Sequence, residues 1–104
     1  MASFDPEPPE DRLTQEAEEM MRQRRFQDAV TRYQDLRRQS PTDLWTSLGY
    51  VSALECAGEV VEAERALEEA TAGHRRSAPL HRFRRLFFVR REDLRSAAMS
   101  QEAL

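Results

Sequence analysis

Ala29, Ala63 and Ala97 stand 34 residues apart, and the residues around them keep the same step. Phe26, Val60 and Leu94 share the spacing, as do Met20, Leu54 and Phe88, and in two copies Tyr33 and Leu67. Pro41 falls in step with the loop at Arg75. A fixed period of this length marks stacked supersecondary units, each too small to bury its own apolar face and each completed by its neighbour. Arrays of this kind present surfaces, so the period points toward binding rather than chemistry.

The units are helical. Only three glycines occur in 104 residues, and Ala, Leu, Glu, Gln, Arg and Met, which lose least on entering a helix, dominate the body. No alternating apolar and polar run of strand length occurs. The fold class is all-α: one small domain with room for about six short helices around a continuous core.

Residues 1–9, with Pro6, Pro8 and Pro9, lack a periodic apolar pattern and read as a flexible tail. The helical body covers 10–104, in units of about 10–43, 44–77 and 78–104. From Asp11 to Gln23, Leu13, Ala17, Met20 and Met21 share one helical face. After a break near Arg24, Phe26, Ala29, Val30, Tyr33 and Leu36 define a second helix. Ser40, Pro41 and Asp43 suit a helix start as cap, first helical residue and dipole partner. Trp45, Leu48, Val51, Leu54 and Ala57 define the buried face of a third helix, ended by Gly58. Val60, Ala63, Ala66, Leu67 and Ala70 give a fourth, and Gly73 is placed for a left-handed C-terminus. Ser77-Ala78-Pro79 opens a fifth through about Arg90, with Leu80, Phe83, Leu86, Phe87, Phe88 and Val89; Leu94, Ala97 and Ala98 belong to a short sixth.

The stretch RQRRFQDAVTRYQDLRRQSP, residues 22–41, resembles the second half of a tetratricopeptide repeat. In that family an aromatic precedes a small Ala by three residues, another follows it by four, and Pro closes the unit; Phe26, Ala29, Tyr33 and Pro41 match. The second unit resembles the pattern through Leu54, Gly58, Val60, Ala63, Leu67 and Ala70. Trp45, Leu48 and Gly49 look like the family's Trp, Leu and Gly displaced by two positions, and Val51 stands where a small residue is expected. The third unit keeps Phe88, Leu94 and Ala97 but has Arg85 at a small-residue position, as an irregular cap has. The resemblance implies a right-handed solenoid of helical hairpins. Its close approaches have a physical reason: small Ala residues let paired helices near each other, and the aromatics fill the space beside them.

The net charge of −3 hides a gradient. Residues 1–20 carry seven acids and one Arg, while residues 74–95 carry eight Arg and two acids. Opposite ends of this kind steer oppositely charged partners and favour weak self-association. Solvated helix faces account for the same charges without any partner. The segment His81 to Arg91 mixes Arg with aromatics, as surfaces that contact phosphate and stack bases do, yet the chain is acidic overall, against the footprint of nucleic-acid binders. Nucleic acid and an anionic membrane surface are the lesser alternatives for this helix, beside a structural cap or a partner surface, and no apolar segment of membrane-spanning length occurs. No leader is evident, and the expected home is cytoplasmic.

No catalytic, metal or cofactor-binding residue is assigned. His74 and His81 lie among arginines without the further ligands a zinc site needs, and no nucleophile elbow, phosphate loop or carboxylate dyad occurs. A non-enzyme is expected. Cys56 has Glu55 beside it and no neighbouring cation, and reads as a small, half-buried packing residue.

By the resemblance, the first helix of each unit lines a concave groove. Its candidate residues are Glu18, Met21 and Arg22 from unit one, Trp45, Leu48, Ser52 and Glu55 from unit two, and Arg82, Phe83, Leu86 and Arg90 from unit three. This set is apolar at its middle and charged at its edges, which suits an amphipathic helix or an extended apolar peptide with an acidic flank. Trp45, Leu48 and Phe83 serve equally well as core. Family members that grip a C-terminal carboxylate use Lys, Asn and Arg; here the corresponding places hold Thr14, Glu18, Leu48 and Ser52, so that clamp is missing. The expected function is a protein-binding adaptor or scaffold, with nucleic-acid binding through helix 80–91 or self-assembly as alternatives.

Overall fold

The computed structural model describes the backbone of residues 9–102 and side chains over 12–92. Five helices follow one another: α1 (Pro9–Arg22), α2 (Phe26–Gln39), α3 (Leu44–Cys56), α4 (Val60–Gly73) and α5 (Ala78–Glu102). No strand occurs among the described residues. The expected tail 1–9 lies outside them except for Pro9, which opens α1, where its missing N–H has no helical partner to lose.

α1 packs on α2 and α3 on α4 as hairpins, and α2 packs on α3 to join them. The core runs through Ala17, Ala29, Tyr33, Leu36, Val51, Leu54, Ala63, Leu67, Leu80 and Phe87. The repeating alanines at 29 and 63 have no exposed surface, as a close helix contact requires. On the outer side, the Arg37 guanidinium lies 4.5 Å from the centre of the Tyr50 ring and 3.1 Å from a Glu69 carboxylate oxygen, tying α2 to α3 and α4.

Both hairpins turn in the same way. Arg24 and Gly58, 34 residues apart, have φ values of +62° and +85°. The N–H of Arg25 donates to the Met20 carbonyl at 2.8 Å, and that of Glu59 to the Leu54 carbonyl at 2.9 Å. Arg24 and Gly58 themselves donate to the carbonyls of Met21 and Glu55. These are the paired bonds of a Schellman ending, which satisfies the last carbonyls of a helix through one left-handed residue.

Several local expectations are corrected. The expected fifth and sixth helices are one: the residue in step with Arg24 and Gly58 is Glu92, and it continues the helix. Gly73 is the last residue of α4 rather than a left-handed cap. Ser40 ends α2, and Asp43 caps α3, its carboxylate accepting from the Thr46 N–H at 3.0 Å and the Thr46 hydroxyl at 2.6 Å. Ser77 does cap α5, accepting from the Leu80 N–H. Trp45, in the first turn of α3, faces solvent at 67% exposure and is not part of the buried face expected for that helix.

Candidate functional site

The candidate residues lie on α1, α3 and α5, and their positions follow the ladder of the repeat. Glu18, Ser52 and Leu86 are in step, and all three reach the surface: Glu18 and Leu86 are exposed and Ser52 is half-buried. Arg22, Cys56 and Arg90 form a parallel exposed row.

On α1, the Arg22 guanidinium donates to Glu19 through Nε at 2.9 Å and Nη2 at 2.6 Å, which holds the Glu19 carboxyl below the usual carboxylate range. Arg22 is thus engaged along its own helix. Met21 is half-buried and packs against the core. Glu18 lies close enough to Tyr33 to add its charge to the effect of burial, and together these push the Tyr33 phenol up.

On α3, Trp45 is exposed, whereas Leu48 retains only 6% exposure and belongs to the core. Leu48 therefore packs as core, not as an exposed groove residue. Glu55 is nearly enclosed. Its Oε1 accepts from Arg90 Nη2 at 2.9 Å, and its Oε2 lies 3.5 Å from Arg91 Nε, an ion pair too long to satisfy either atom by hydrogen bonding. This carboxylate clasps α5 to α3. Glu55 and Arg90 are the two candidates from different helices that the structure joins, and their engagement makes them supports of the surface more than free contacts on it.

Cys56 corrects another expectation: it is exposed, not half-buried. Local burial and the Glu55 carboxylate push its thiol up, against a smaller opposing effect of Arg90. That Arg comes from a different unit, 34 residues further along the chain, so local sequence does not reveal it. On α5, Phe83 is half-buried against the core, Leu86 is 52% exposed, and Arg82 is exposed with no ion pair among the described residues. Val89, in step with Met21 and Glu55, is also open to solvent and was not singled out by periodicity. Its neighbours in sequence are all apolar or Arg, so spacing alone could not tell which face would be covered.

Among the described residues, no group of His, Cys, Asp and Glu could hold a metal ion, and none of their helices is long and apolar enough to cross a membrane. His81 is occupied, its ring N–H donating to the Arg75 carbonyl at 2.6 Å.

A tetratricopeptide-repeat family model matches residues 20–86, from the end of α1 to the middle of α5. No curated protein and no solved structure matches the chain. The matched segment includes both complete turns and the alanine contacts that the period requires, and repeats of this type generally mediate protein–protein interaction. The chain belongs to the tetratricopeptide-repeat family.

Proposed function

We propose that this chain is a non-catalytic adaptor that holds a segment of a partner protein across the first helices of its units. The segment is an amphipathic helix or an extended peptide with apolar anchors and an acidic flank. What supports this reading is that Trp45 and Leu86 are open to solvent and Phe83 partly so, and that Arg82 is exposed with no ion pair among the described residues. Large aromatic side chains that become desolvated on binding supply most of an interface's energy, and rim cations mainly set association rate and salt sensitivity. In this reading Glu18, Met21, Arg22 and Ser52 supply the α1 and α3 side of the groove, and the Glu55–Arg90 ion pair ties α3 to α5. The exposed, unpaired thiol of Cys56 suits the reducing cytoplasm.

Selection of a displayed random peptide library on the immobilised protein tests the reading. Enriched peptides should share an apolar anchor next to acidic residues and should lose binding to Trp45→Ala and Phe83→Ala variants whose helicity is intact. Enrichment of acidic peptides without apolar anchors, with binding indifferent to both variants, would refute it. Nucleic-acid binding through α5 is separated by salt, since release of counterions from phosphates makes affinity fall steeply as salt rises.

A further inference from the structure

Charge on the first helices of the units is sorted in the order of the repeat. On α1, Glu18 is exposed and has no ion pair among the described residues. Arg22, the cation one turn further on that could neutralise it, is held by Glu19. On α3 the single charged residue is Glu55, whose side chain is 11% exposed and faces Arg90 and Arg91. On α5, Arg82 is exposed without an ion pair among the described residues, and residues 71–91 contain no acid. Two guanidinium groups against the one carboxylate of Glu55 leave the α3–α5 seam positive as well.

The unmatched acid and the unmatched cation occupy related places. Glu18, Ser52 and Leu86 are in step through the repeat, and Arg82 stands one turn before Leu86 on α5. Glu18 lies toward α3, since its charge acts on Tyr33, whose ring rests against Gly49. Between them α3 presents the uncharged Ser52 and the exposed Trp45. At the usual ~8–10 Å between packed helices, two steps along the array make roughly 20 Å, the reach of about six extended residues. A segment acidic at both ends would set one acid against Glu18, and a segment basic at both ends would set one cation against Arg82. Like charges brought together in this way exclude a partner more strongly than a matched rim pair attracts one.

We infer that the partner segment is dipolar, with a basic residue beside Glu18 on α1, apolar anchors over α3, and an acidic residue beside Arg82 on α5, the two charges about six residues apart in an extended segment. The inference rests on the adaptor reading above and adds to it the basic end and the order of the two charges across the units. Its physical content is selection: the exposed charges add little affinity and act by rejecting segments of the wrong pattern.

Parallel selections of a displayed random peptide library on the wild-type, Glu18→Arg and Arg82→Glu proteins test it, with circular dichroism showing all three helical. The wild-type protein should enrich peptides that carry a basic and an acidic residue on opposite sides of the apolar anchors. Glu18→Arg should enrich peptides acidic on both sides, and Arg82→Glu peptides basic on both sides. A peptide enriched on the wild-type protein, made in soluble form, should lose about fivefold in affinity on either substitution at low salt. The loss should shrink at about 1 M salt, where charges are screened beyond ~3 Å. Wild-type peptides acidic on both sides, or a charge pattern that Glu18→Arg leaves unchanged, overturn the inference. In that case dependence of their binding on Trp45 and Phe83 still decides the adaptor reading separately. No enrichment on any of the three proteins overturns both.

Discussion

The ring of Tyr33, on α2, lies so close over Gly49, on α3, that a Cβ placed on Gly49 would stand 2.5 Å from Cε1 and 2.7 Å from Cζ of the ring. Glycine is required here by space and not by backbone conformation. The contact lets α2 and α3 approach, and it holds the Tyr33 hydroxyl near Glu18 at the edge of the proposed binding surface. Gly49→Ala should therefore destabilise the fold by about 1–3 kcal/mol, the usual penalty of overpacking a tight contact. A Tyr33→Leu change in the same chain should recover part of the loss, as read from denaturant midpoints. Full stability of Gly49→Ala alone would mean that the ring has room to move.

The two turn residues make opposite predictions. Gly58→Ala introduces a Cβ at a left-handed position and should cost about 1 kcal/mol, while Arg24→Gly removes one and should stabilise by a similar or smaller amount. No atom lies within 4 Å of a Cβ on Gly58, so conformation alone is tested there. Thermal midpoints that move the same way for both variants would contradict the shared turn geometry.

At the helix contacts, Ala63→Leu should destabilise by roughly 1–3 kcal/mol, because Ala63 is fully buried between α3 and α4. Ala72→Leu, on the exposed end of α4, should change stability by less than about 0.5 kcal/mol. Denaturant midpoints decide between them. Equal losses would place the close contact elsewhere.

Cys56 gives a pH test. Burial and Glu55 raise its pKa, so at neutral pH a smaller fraction is thiolate than in a free cysteine, and alkylation should be slower. The rate should rise with pH and reach its midpoint above that of a model thiol. Glu55→Gln removes one of the two raising causes and should speed alkylation at a given pH. A midpoint below that of the model thiol would show that Arg90 controls the site instead.

Much of this architecture was legible in the residues. The period placed Ala29 and Ala63 at close contacts and located the breaks near Arg24 and Gly58, because helix packing imposes size limits that sequence spacing records directly. The helix ends were less legible. Ser40 and Asp43 are both good caps, and only the hydrogen bond to Thr46 shows which one starts α3. The missing third turn was hidden for a related reason: Leu94 and Ala97 keep the spacing of a second helix, while the backbone of α5 runs on through Glu92 without a break. For the candidate surface, spacing could not assign burial among equally apolar neighbours: Leu48 packs in the core while Trp45 and Leu86 stand open to solvent. The Glu55 clasp joins residues 35 apart on separate units, a contact that no local pattern encodes.

The most direct test of the adaptor reading is the emission of Trp45, the single tryptophan of the chain, during titration with a peptide enriched by library selection. At 67% exposure its indole is largely in water, so docking of an apolar anchor against it should shift emission to shorter wavelength and saturate with binding. Phe83→Ala should weaken that titration by about thirtyfold or more, the loss typical of an anchoring aromatic. An Arg75→Ala, Arg76→Ala control on the loop should leave it nearly unchanged. A peptide that binds without moving Trp45 emission, and whose binding the loop substitutions abolish while Phe83→Ala does not, would contradict the account and place recognition at the basic end of the molecule.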